Sequence, residues 1–164
     1  VTNGVIPLGG VICRDFIYDA MMNANSPQHA IEFFHGYTYS GHPVGAAAAL
    51  ATLAETKRLK VNENAAARGT QLFDGLKALK EKYACIGDVR GGHGLMLAIE
   101  MVSDRATKAA PDKAMPGRVQ KAAYEAGAMV RVSGPNIILS PPLVITDADA
   151  KVILSALDKG FAAL

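Results

Sequence analysis

The chain has 164 residues, half of them hydrophobic and a fifth charged, with a formal net charge of +2 at neutral pH. That length suits one domain, or a small domain with a piece of another, and the composition argues against disorder. With no basic run there is no electrostatic case for nucleic acid, and no stretch reaches the roughly 20 apolar residues of a membrane helix.

Val1 is not a methionine, and the chain opens inside a turn-rich apolar segment, so the opening reads as that of a fragment. The run Val5 to Cys13 is broken by Pro7, Gly9 and Gly10 and predicts a short buried strand. Asp15 to Met22 suits a short helix, Asn23 to Gln28 a polar loop, and Glu32 to Pro43 an irregular stretch rich in aromatics and glycine. From Pro43 to Leu59 an alanine-rich run predicts a strong helix, with proline in its first turn and basic residues in its last. Its first half is apolar nearly all round, which predicts burial in a domain or subunit interface.

Asn62 to Tyr83 predicts an amphipathic helix with Leu72, Leu76 and Leu79 on one stripe, and a domain boundary is expected near Val61. Asp88 to Val102 predicts a turn at Arg90-Gly91-Gly92-His93-Gly94 followed by a strand from Leu95 to Met101. Ser103 to Met115 is a polar loop. Pro116 to Ala126 predicts a helix stopped by Gly127, a natural residue just past a helix end. Two strands, Ala128 to Val132 and Asn136 to Ser140, are expected around the turn Ser133-Gly134-Pro135. Thr146 and Asp149 have capping-box spacing and open a last helix running to about Ala162. The order predicts an α+β unit with helices covering a small sheet.

Cys13 and Cys85 have no CxxC spacing, and His29, His35, His42 and His93 lack the spacing of metal ligands. Neither a disulfide framework nor a metal site is expected, and a reduced, cytoplasmic compartment is the default. The most unusual stretch is His35-Gly36-Tyr37-Thr38-Tyr39-Ser40-Gly41-His42-Pro43, placed directly before the alanine-rich helix. Backbone N–H groups freed by glycine, a compact hydroxyl and a helix start can together receive a phosphate. The plainer reading is a tight loop whose hydroxyls cap the helix. From composition alone that reading comes first.

The segment H-G-Y-T-Y-S-G-H-P resembles the loop that class III pyridoxal-phosphate aminotransferases carry shortly after their Schiff-base lysine. Val1 to Val11 resembles the family's stretch just beyond that lysine. Asp88 to Met96 resembles the family's V-R-G-x-G-L-M, and Ile138 to Thr146 its near-terminal P-P-L-V-I-T. Four blocks in the family's order cover essentially the whole chain.

The resemblance implies an α/β fold: the C-terminal portion of a fold-type-I pyridoxal-phosphate transferase. Residues 1–60 would end the large cofactor-binding domain, and residues 61–164 would form the small C-terminal α+β domain. The Schiff-base lysine would stand two residues before Val1, so the resemblance implies no catalytic residue within the chain. Thr38 would bind the phosphate of pyridoxal 5'-phosphate in the neighbouring subunit of a homodimer. Tyr37 would line that cofactor and substrate pocket, with simple packing as its equal rival. Arg131 would hold a substrate carboxylate, a task that suits guanidinium's rigid fork. Arg90, His42 and His93 are expected to be structural, Arg90 by fixing its turn.

The implied reaction moves an amino group from an ω-amino acid, β-alanine foremost, or an amine to pyruvate. It is expected only together with the upstream part that carries the lysine. One alternative is a diamine or 4-aminobutyrate aminotransferase using 2-oxoglutarate. The lack of an arginine in Ile138-Leu139-Ser140, just before the P-P-L-V block, speaks against it. Another is a non-catalytic α/β interaction domain.

Overall fold

A computed structural model of the chain describes residues 1–24 and 36–164. The expectations for His29 and His35, and for parts of the loops spanning 23–28 and 32–43, lie outside the described residues. The chain forms two compact units, Val1–Arg58 and Leu59–Leu164.

In the first unit, helix α1 spans Asp15–Met22 and helix α2 spans Pro43–Arg58. The strand expected over Val5 to Cys13 does not form, and Val11 and Ile12 are exposed at 94% and 101%. Pro7 removes a ladder donor, Gly9 and Gly10 weaken the rest, and among the described residues no partner strand lies in this unit. The segment's first residues are instead held locally: Thr2 is buried and its hydroxyl donates to Ile6 O. Gly45 of α2 lies close to Ile6 and Leu8, where a Cβ would make ordinary contact at 3.8 Å. Only Gly45 and Ala49 of α2 are buried, so the chain's described residues leave most of this apolar helix, including Leu50 and Leu53, uncovered.

The second unit is a four-stranded antiparallel sheet backed by three helices. Its strands are β1 (Ile86–Arg90), β2 (Leu97–Met101), β3 (Arg131–Ser133) and β4 (Asn136–Leu139), ordered β1-β2-β4-β3. Helices α3 (Val61–Lys82), α4 (Met115–Glu125) and α5 (Asp147–Ala162) pack on one face. The stripe of Leu72, Leu76 and Leu79 meets Ile86, Ile99, Ile137, Val119, Leu157 and Phe161 in one apolar core. Strand alternation places Leu97, Ile99 and Met101 inward, with Ala98 and Glu100 on the opposite face.

Strand β1 is missing from the sequence-based expectation, which has a turn from Arg90 and no strand before it. Its register slips between Ile86 and Asp88, so Gly87 interrupts the two-residue alternation that would have marked it. The strand expected from Leu95 begins at Leu97, and the one expected from Ala128 begins at Arg131. Arg90 also differs from expectation. Its guanidinium donates to Glu100 Oε2 at 2.9 Å and Asn136 Oδ1 at 2.7 Å, tying three strands together rather than fixing its own turn.

The last helix starts as the sequence predicts. Asp149 N–H donates to Thr146 Oγ1 at 3.2 Å, and Thr146 N–H donates back to Asp149 Oδ2 at 2.8 Å. Thr146→Ala should cost about 1 kcal/mol of stability, read from the urea midpoint. The backbone N–H of Thr146, and then its hydroxyl, hold the Asp149 carboxyl below its ordinary value of 3.8. A depressed folded-state pKa stabilises above the unfolded value and loses that contribution as pH falls through the folded one. Stability should therefore drop in acid, below about pH 4, and Asp149→Asn should flatten that limb.

Candidate functional site

The lead-in to α2 is a double turn. Ser40 N–H donates to Tyr37 O at 2.9 Å, and Tyr37 N–H donates to Ser40 Oγ at 3.1 Å. His42 N–H then donates to Tyr39 O at 3.2 Å, a reversal that places Gly41 at φ +71°. The reciprocal pair brackets Thr38, which is exposed, and whose hydroxyl and N–H have no hydrogen bond among the described residues.

This geometry bears on the capping reading of the loop. If its hydroxyls capped α2, Thr38 or Ser40 would accept an N–H from the first helical turn. His42 Nδ1 takes that place instead, accepting Val44 N–H at 3.3 Å, while Ser40 Oγ is occupied by Tyr37 N–H. Thr38 is left with a compact hydroxyl and an amide, both without a hydrogen bond among the described residues, beside the start of a 16-residue helix. That donor set fits a phosphate group. Tyr37 is 77% exposed.

Arg131 belongs to the second unit. It opens edge strand β3 opposite Ile138, and Ile138 in turn pairs with Ala98, and Ala98 with Arg90. Two arginines therefore stand at the ends of one cross-strand row, on the face away from the helices. Arg90 is bound to Glu100 and Asn136, whereas among the described residues no carboxylate pairs with Arg131. An open pocket of about 570 Å³ lies beside it, lined among others by Met129, Ile138, Ser140, Pro141 and Gln120. An uncommitted guanidinium at the edge of an apolar pocket can take a carboxylate by two parallel hydrogen bonds and leave room for a hydrocarbon chain.

Two neighbours of this pocket escape sequence reading. Asn64 on α3 donates from Nδ2 to Leu143 O at 2.8 Å and Ile145 O at 2.9 Å, pinning the segment just beyond Pro141 and Pro142. Gln120 on α4 donates from Nε2 to Val130 O at 2.7 Å. Both are single polar residues on helices, far from their acceptors in sequence, and no spacing marks them. His42 and His93 are loop residues, and His42 serves as the α2 cap.

A small antiparallel sheet backed by three helices, with a glycine- and hydroxyl-rich turn leading into a long helix, is the C-terminal portion of a fold-type-I pyridoxal-phosphate transferase. The family described as aminotransferase class-III matches residues 1–161, and the chain belongs to that family. It is 33% identical to a taurine–pyruvate aminotransferase of Bilophila wadsworthia over 98% of this chain and 36% of that protein. It is 36% identical to a β-alanine–pyruvate aminotransferase of Pseudomonas aeruginosa over 86% of this chain and 30% of that protein. Among solved structures, an amine transaminase from an uncultivated Pseudomonas species, in its PLP-bound form, superposes with a TM-score of 0.87. It is 45% identical, over 98% of this chain and 36% of that one. The chain thus spans about a third of the length of the relatives it matches.

Proposed function

We propose that this chain is the small domain and the end of the large domain of an ω-aminotransferase, which moves an amino group from an ω-amino acid or amine to pyruvate. The observation that carries the reading is Arg131: a guanidinium with no carboxylate partner among the described residues, at the mouth of an apolar pocket where a keto acid or amino acid would present its carboxylate. Pyruvate as acceptor also draws on relatives named as pyruvate-dependent with taurine, putrescine or β-alanine. β-Alanine is the donor we favour, because its carboxylate suits the same guanidinium.

Thr38 would hold the phosphate of pyridoxal 5'-phosphate through its hydroxyl and N–H, and Tyr37 would line the pocket beside it. We assign these two residues to the neighbouring subunit's site, which makes a homodimer the working unit. The cofactor supplies the electron sink for amino-group transfer. In the domain assignment we favour, residues 1–60 complete the cofactor-binding domain and 61–164 form the small one. We place the enzyme in the cytoplasm, a compartment that suits the free thiols of Cys13 and Cys85.

The test uses the complete enzyme. Arg131→Ala should lower kcat/KM for pyruvate about 10- to 100-fold, the worth of hydrogen bonds to a charged group. Turnover of a donor amine without a carboxylate should stay within about twofold, since uniform damage would lower both. Undiminished use of pyruvate by the variant would remove Arg131 from the site.

A further inference from the structure

Arg131 stands on the first residue of a three-residue edge strand, hydrogen-bonded on one side only, to β4. The chain reaches it from α4 through Gly127, at φ +102°, and Ala128 to Val130, none of which belongs to the sheet. An edge this short has little of its own to hold the direction of its first side chain. The helix side of the approach is held at Ala128, whose N–H donates to Ala123 O at 2.9 Å. Between Ala128 and the ladder, the backbone is anchored by the 2.7 Å bond from Gln120 Nε2 to Val130 O.

That bond falls at an informative place. Val130 C=O and Arg131 N–H share one peptide plane, and a peptide plane is rigid. Fixing the carbonyl therefore fixes the plane from which the Arg131 side chain departs. Val130 itself is buried, while Gln120 is half-buried and lines the same pocket as Arg131. A half-buried amide aimed at this one carbonyl couples helix α4 to the orientation of the guanidinium.

We propose that Gln120 is a positioning residue that orients Arg131 toward the substrate carboxylate. The inference rests on the carboxylate role given to Arg131 above. It assigns Gln120 no contact with substrate. Its action passes through the Val130–Arg131 peptide, so its loss weakens carboxylate binding and leaves the reacting centre intact.

The experiment compares Gln120→Leu, Arg131→Ala and the double variant in the complete, cofactor-loaded enzyme. Each is measured in the half-reaction with pyruvate and in the half-reaction with a primary amine that has no carboxylate. Gln120→Leu should raise the saturation constant for pyruvate about two- to tenfold, the range of one neutral hydrogen bond, at an unchanged limiting rate. Any change in the amine half-reaction should be smaller than that with pyruvate, and in the Arg131→Ala background the Gln120 effect on pyruvate should vanish. If Arg131→Ala raises the pyruvate constant and Gln120→Leu does not, the positioning role is wrong while the carboxylate reading stands. A Gln120→Leu effect that is equal in both half-reactions, or that persists without the Arg131 side chain, marks a merely structural residue and also overturns it. If Arg131→Ala itself leaves pyruvate untouched, the carboxylate reading falls and the inference falls with it.

Discussion

Gly69→Ala should destabilise the 59–164 unit by about 3 kcal/mol, at or beyond the usual upper range for overpacking a tight contact. A Cβ at residue 69 would lie 2.3 Å from Gly94 O, 2.7 Å from its carbonyl carbon and 2.9 Å from its Cα. All three atoms are backbone, so no rotamer change relieves the clash, and the helix must shift from the turn it rests on. Gly94 sits at φ +102°, where a side chain would be strained, so the turn has little freedom to yield. Urea unfolding followed by circular dichroism reads the loss directly. Gly117→Ala is the control. It lies exposed in α4 with nothing within 4 Å of its added Cβ, and should stabilise by about 0.5–1 kcal/mol through the unfolded chain. Equal midpoints for the two variants would show that α3 does not depend on this contact.

The same contact shows what the sequence can and cannot reveal. Arg90-Gly91-Gly92-His93-Gly94 is recognisable as a turn because glycine permits the positive φ seen at residues 91, 92 and 94. That the turn presses on Gly69 is not, since a glycine inside a 22-residue helix carries no mark of what approaches it. Local signals read well elsewhere. The Thr146 and Asp149 pair and the leucine stripe of α3 depend only on near neighbours, and both stand as expected. Signals that need a partner read badly. Val5 to Cys13 looks like a strand by composition but finds no ladder among the described residues of its unit, and β1 hides behind its bulge at Gly87.

The candidate site divides in the same way. The hydroxyl-rich turn is visible in the sequence, but that His42 Nδ1 accepts the first helical N–H, and that Thr38 makes no hydrogen bond among the described residues, is not. Arg131 is visible as an arginine in a strand. That no carboxylate pairs with it among the described residues is a property of the fold. Gln120 is not visible at all, because its meaning lies in one carbonyl ten residues away.

The second large effect is expected at Ile99. It is fully buried at the centre of β2, opposite Val89 on one side and Ile137 on the other. Ile99→Ala should cost about 2–5 kcal/mol, from lost burial plus the cavity left in a core where three helices meet the sheet. Ile138 makes a sharp comparison, because it lies one residue along β4 from Ile137 but on the opposite face, half-buried beside Arg131. Truncating it removes less buried surface, so Ile138→Ala should cost well under half as much stability. Its effect should appear instead in the pocket, as weaker binding of substrates with an apolar chain in the complete enzyme. Matched urea titrations of the two variants, alongside substrate saturation curves for Ile138→Ala, separate the two faces. If both substitutions destabilised equally, the outer face would be core, and the pocket beside Arg131 would lose its standing as a place for substrate.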